Sequence, residues 1–156
     1  MRSLIFVIAM IGAMQFMYAQ RNLTETDQVF LLSGSDRNEL YLESVGIAKK
    51  KNQEEARYLA LRAAMETVLF KGFPEKGSPL KDPLIPSFNK LSESSLLYLD
   101  EFFDQERFLI YFNNVRLLGS DKRLKKYYEY SFSSTLNLDL LRTELEGNGI
   151  VRKFGF

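Results

Sequence analysis

The sequence predicts an α+β two-layer sandwich, an antiparallel sheet of three to four strands covered by two to three helices in the order β-α-α-β-β-α. Three stretches carry that expectation. Residues 52–74 repeat small apolar side chains at helical spacing, residues 91–103 show a second helical stripe that includes three aromatics, and residues 124–138 carry the cleanest apolar–polar alternation in the chain. The first two periods are those of a helix face, and the third is that of a strand with one buried side.

Within 52–74, Asn52 stands at the N-cap position and Glu55, three residues on, completes a capping-box-like pair. Glu54 and Glu55 suit the positive end of the helix dipole, while Gly72 and Pro74 follow the last periodic residue and stop the helix. Ala56, Ala60, Ala63, Ala64, Thr67 and Val68 recur at three- and four-residue steps, with Leu59, Met65 and Leu69 widening the band. Because this face is mostly small, the helix axis can lie close to the sheet that covers it. Docking of a partner through an alanine groove is the alternative use of the same stripe.

The preceding strand is expected at 40–48, where alternation is blurred and Gly46 marks either a bulge or a close approach of the alanine helix. Residues 29–32 form a short apolar run that fits an edge strand or a helical turn equally well, and Gly34, Ser35, Asp36 and Asn38 mark a turn after it. Pro79, Pro83 and Pro86 impose an extended loop over 75–88. Ser92 is placed to begin the helix that follows. Residues 108–118 and 124–138 are expected as antiparallel strands joined by a turn over 119–123. On the second of these, Tyr128, Tyr130, Phe132, Leu136 and Leu138 point one way, and Glu129, Ser131, Ser133, Thr135 and Asn137 the other. Asn137 can then cap a last helix over 138–145 with Asp139 in its first turn, which Gly147, Asn148 and Gly149 end.

The chain has 156 residues, a formal net charge of +1, and neither Cys, His nor Trp. That length suits one domain, and the balanced charge argues against a nucleic-acid partner. Residues 1–19 read as a signal peptide: Arg2 supplies the positive n-region, residues 4–11 an apolar core, and Met17-Tyr18-Ala19 an approximate cleavage site. The expected organisation is therefore a signal peptide at 1–19, a flexible mature N-terminus at 20–38 and a single α+β domain at 39–156, with no transmembrane span once the signal is removed. Lacking cysteine, such an exported chain has no disulfide and no thiol to receive a lipid, which fits a bacterial periplasm and an envelope protein as partner.

The same absences restrict chemistry. A Ser-His-Asp triad, a cysteine nucleophile and a His/Cys zinc site cannot be assembled, and no cofactor, metal site or catalytic residue is expected. Asp100, Glu101, Asp104 and Glu106 form an acidic cluster whose spacing is wrong for an EF-hand loop, and a solvated helix end accounts for it. Two basic clusters remain: Lys49, Lys50 and Lys51 at the end of one strand, and Lys122, Arg123, Lys125 and Lys126 beside Tyr127 and Tyr128 at a hairpin end. Brought together, they would attract a polyanion such as an anionic glycan; solubilising a sheet edge explains the same lysines without a ligand. The closing Phe154-Gly155-Phe156 reads as a docking tail, because the chain has too few strands for an outer-membrane barrel.

The run VGIAKKKNQEEARYLALRAAMETVLFKG (45–72), a strand carrying glycine, a polar turn, then EEAR and an alanine-rich helix, resembles the amino-terminal module of the flagellar assembly protein T family and related small outer-membrane lipoproteins. LFKGFP (69–74), GSPL (77–80) and GIVRKFGF (149–156) look more like short exported bacterial proteins of unassigned role. The first resemblance implies a noncatalytic periplasmic module that assembles with envelope proteins. This chain departs from the lipoproteins in having no lipid-accepting cysteine.

Overall fold

A computed structural model of the protein describes residues 28–49, 51–74, 78–124 and 127–152. The signal-peptide segment, Lys50, Lys125, Lys126 and the 153–156 tail singled out above lie outside the described residues. The frame is a pair of long antiparallel strands, β2 (Glu39–Lys49) and β4 (Tyr127–Asn137). They align Leu40 with Leu136, Leu42 with Ser134, Ser44 with Phe132 and Gly46 with Tyr130, so one face of the ribbon is almost wholly buried. Strand β1 (Val29–Leu31) extends the sheet on one side and β3 (Phe112–Leu124) on the other, giving the order β1-β2-β4-β3 with every pair antiparallel. Here the structure resolves the ambiguity at 29–32 in favour of a strand, and it takes that part of the 20–38 stretch into the sheet.

Helix α1 (Gln53–Glu66) lies across the inner face. Asn52 caps it, its Oδ1 accepting from Glu55 N at 3.2 Å while its own amide donates to the Glu55 carboxylate at 3.2 Å. Ala56 and Ala60, both fully buried, pack with Ala48 against the rings of Tyr130 and Phe132, whose centroids stand 6.4 Å apart. Burial of rings of this size contributes about 1.5–3 kcal/mol each, so this small second cluster matters to the fold. The main core lies alongside. Leu61, Ala64, Met65 and Val68 of the same helical stretch meet Leu40, Leu42 and Leu136 of the sheet.

Helix α2 (Glu93–Asp104) starts at Ser92, whose hydroxyl accepts from Ser95 N at 3.2 Å. Its Phe102 and Phe103 are buried against Phe108 and Tyr111. Helix α3 (Leu138–Gly147) starts at Asn137, which accepts from Leu140 N at 2.9 Å. It buries Leu138, Leu141 and Leu145. The three helices and the four-stranded antiparallel sheet make up the expected α+β architecture.

Two local expectations are corrected. Residues 107–111 form a 3-10 turn rather than the start of a strand, because Phe108 and Tyr111 both turn inward to the aromatic core, which the alternating sides of a strand would not allow. The expected turn over 119–123 is strand. Gly119 pairs with Ser131 and Asp121 with Glu129, and pairing continues to Leu124 opposite Tyr127. The turn-forming residues are taken up by register shifts at 117–119 and 122–124, which bend an edge strand without ending it. Leu138, counted above both as the last strand residue and as the first of the helix over 138–145, is the first residue of α3 and is fully buried there.

Candidate functional site: a proline-walled cleft

The site begins with an irregularity in a helix. After Glu66 the chain widens into a π turn over Thr67–Lys71, closed by Gly72 N donating to Thr67 O at 2.8 Å. Thr67 contributes through its hydroxyl, which donates to Ala63 O at 2.9 Å, while its backbone N–H reaches both Ala63 O and Ala64 O. Carbonyl groups at a helix end need partners from outside the helix. Here the proline loop supplies them: Leu84 N donates to Val68 O at 3.1 Å and Ile85 N to Leu69 O at 2.8 Å.

Gly72 lets the loop come this close. Its φ is +72°, and an added Cβ would lie 2.6 Å from Lys81 O and 2.8 Å from Pro83 N. Phe73 N donates to Leu80 O at 2.9 Å, and Leu80 and Ile85 are buried in the main core. The stretch expected only to be extended is therefore stapled to the end of α1 over its described residues, with Pro83 fixing φ between the staples and Pro79 and Pro86 flanking them.

Between this loop and the C-terminal end of α3 runs an open cleft of about 980 Å³. Its apolar floor includes Leu80, Ile85, Leu91, Ile150 and Val151. Exposed Lys81, Lys90 and Arg152 stand on its rim, with Asp82 as the exposed acid. Arg142 and Glu146 line it from α3, and each has partners within the fold; one for Arg142 is the Arg37 carbonyl at 3.4 Å. Ser92, Ser94 and Ser95 form a hydroxyl cluster at the start of α2, Ser92 Oγ lying 2.9 Å from Ser94 Oγ and 2.8 Å from Ser95 Oγ. Sequence reading passed over this cleft because its walls come from segments some sixty residues apart. The available signal was the placing of Leu80, Leu84 and Ile85 among the three prolines.

The wall on the α3 side is held by a polar knot. Both Tyr98 and Tyr111 donate to the Glu144 carboxylate at 2.6 Å, Arg107 donates to it as well, and the Arg107 guanidinium lies 5.2 Å from the Tyr98 ring centre. Hydrogen bonds from Tyr111 and Tyr98, joined by the Arg107 charge, hold Glu144 below the usual carboxylate range. Burial and the facing carboxylate push both phenols up, so they stay protonated donors.

The described members of the two sequence-predicted basic clusters lie elsewhere. The register sets Lys49 opposite Tyr127 and Lys122 opposite Tyr128, so Lys49 and the backbone of Lys122 share one end of the sheet. The Lys51 ammonium sits 5.9 Å above the Tyr128 ring. Arg123 follows Lys122 in β3. Glu101, Asp104 and Glu106 are exposed, and among the described residues no group of three acidic side chains is arranged to hold a metal ion. Among the same residues no helix is long and apolar enough to cross a membrane.

Compared with family models, with curated proteins and with solved structures, the chain matches none.

Proposed function

We propose that this protein is an exported, noncatalytic interaction module of the bacterial cell envelope that binds a partner protein through the proline-walled cleft. The observation that carries the reading is the stapling of the loop to the π turn through Val68 O and Leu69 O. A binding surface fixed before its partner arrives loses little conformational freedom on association. Export is supported by the tripartite pattern of residues 1–19, and the envelope by the lack of cysteine in such a chain. The likeness of 46–72 to the amino-terminal module of the flagellar assembly protein T family points to the same class of role.

The test is fractionation of the native host followed by mild co-purification from the periplasmic fraction. The reading expects a defined envelope protein to co-elute in constant ratio, and to be lost when Ser87→Trp fills the cleft. Retention in the cytoplasm, or elution alone, removes it.

A second reading has its own observation. Because β2, β4 and β3 bring Lys49 and Lys122 to one end of the sheet, that end can serve as a patch for an anionic glycan together with Lys51 and the neighbouring Arg123, Lys125 and Lys126. Substitution of Lys122, Arg123, Lys125 and Lys126 by serine abolishes retention on a sulfated-glycan column on this reading; unchanged retention rejects it.

A further inference from the structure

We propose that the cleft seats an extended, acidic segment of its partner that carries aliphatic side chains at alternate positions. This deepens the interaction-module reading and rests on it.

The charge pattern selects the sign. Among the described lining residues, Lys81, Lys90 and Arg152 are exposed at the rim against one exposed acid, Asp82, while Arg142 and Glu146 are engaged within the fold. An approaching chain therefore meets a surplus of cations. The lining selects the chemistry further. The lining combines an aliphatic set, Leu80, Ile85, Leu91 and Ile150, with hydroxyl and charged side chains. A strand-like segment, which sends successive side chains to opposite sides, can turn aliphatic positions to the former and acidic ones to the rim cations. Grooves that read polyproline ligands are lined by aromatics, and among the described lining residues none is aromatic. A lipid chain would require an unbroken apolar lining, which the serines and lysines interrupt.

Size is consistent with this occupant. At about 980 Å³ the cleft stands at the upper end of the range for small-molecule pockets, roughly 300–1,000 Å³, and it is not closed off from solvent, so a chain segment can enter it. Its walls are preformed on both sides. The loop is fixed by the Leu84 and Ile85 hydrogen bonds, and α3 by the Glu144 knot.

The experiment is fluorescence anisotropy on the full chain with a dye-labelled heptapeptide of alternating glutamate and leucine. Two control peptides replace the glutamates by lysine or the leucines by serine. Saturable binding of the first peptide alone is expected, weakening with added salt. The double variant Lys81→Glu/Lys90→Glu should weaken it about tenfold, and Lys49→Glu/Lys51→Glu should leave it unchanged. Both pairs are exposed, so circular dichroism should show native folding. As a second measurement, hydrogen exchange should slow on peptide addition at Leu91 and Ile150. No saturable binding overturns the proposal, as does equal binding of all three peptides or indifference to the Lys81/Lys90 reversal. Uptake of the protein by phosphatidylglycerol vesicles that Lys81→Glu/Lys90→Glu prevents, with no peptide bound, assigns the cleft to a lipid surface and also overturns it. A chain that recovers an envelope partner but ignores the peptide sinks this inference and leaves the broader reading standing. One that binds the peptide as expected but recovers no partner does the reverse.

Discussion

The backbone of Ala56 occupies the place where a side chain on Gly46 would have to be. A Cβ added at Gly46 would overlap the Ala56 carbonyl and stand 3.0 Å from Ala60 N. The helix and strand thus meet backbone to backbone, and the alanine face and the strand glycine are two halves of one contact. Gly46→Ala should therefore cost about 1–3 kcal/mol of stability, since the overlap is with backbone that cannot swing aside. Urea denaturation followed by circular dichroism measures it; an unchanged midpoint would show that α1 can lift off the sheet freely.

At the other end of α1, Gly72→Ala acts on the loop as well as on global stability. The Gly72 φ of 72° with ψ of −171° is a conformation essentially reserved for glycine, unfavourable for alanine by about 1–3 kcal/mol, and the new Cβ presses on the Lys81 and Asp82 backbone. The expected signature is local: faster hydrogen exchange at the Leu84 and Ile85 amides, with Ala60 and Met65 protected as before. Uniform acceleration across α1 would show instead that loop and helix open as one unit.

Much of this arrangement could be read from residue spacing. Asn52, Ser92 and Asn137 each announce a helix through a local rule, and each caps one. The alternation of Tyr128, Tyr130 and Phe132 fixed the inner face of β4 in the same way. What stayed hidden depends on partners far off in the chain. Gly119 and Asp121 look like a turn, yet their pairing with β4 overrides that preference once bulges accommodate them. Strand β3 runs on to Leu124 and β4 begins at Tyr127, so the glycine that signals a turn at 119 lies inside a strand. The partners of Glu144 lie 33, 37 and 46 residues away, beyond any periodic pattern.

A buried seam runs between the two hydrophobic clusters. Ser44 and Ser134 sit on the inner face, fully buried and 4% exposed, and neither hydroxyl has a hydrogen-bond partner. Leaving a buried hydroxyl unsatisfied costs about 1–3 kcal/mol, whereas alanine fits the same space without that cost. Ser134→Ala should raise the thermal midpoint, and the double variant Ser44→Ala/Ser134→Ala should raise it further. A fall on either substitution would mean that the hydroxyls are satisfied by bound water.

The Glu144 knot makes a prediction with a sign. Its carboxyl is held below its ordinary value of 4.5 in the folded protein, so the native state favours the charged form. The stabilisation is therefore complete above that ordinary value and is lost as pH falls through the lower, folded value. Glu144→Gln keeps the shape of the side chain but loses its charge, weakening three hydrogen bonds that join α2, the 107–111 turn and α3. At neutral pH the variant should be less stable by about 2 kcal/mol, since hydrogen bonds to a charged acceptor exceed neutral ones and Arg107 is partly exposed to solvent. Denaturation midpoints of the two proteins, measured from neutral pH downward, should converge below pH 4.5, because protonation then removes from the native protein what the substitution has already removed. A gap that stays constant across the acid range would mean that the knot holds by packing of Tyr98 and Tyr111 and that the charge on Glu144 contributes nothing.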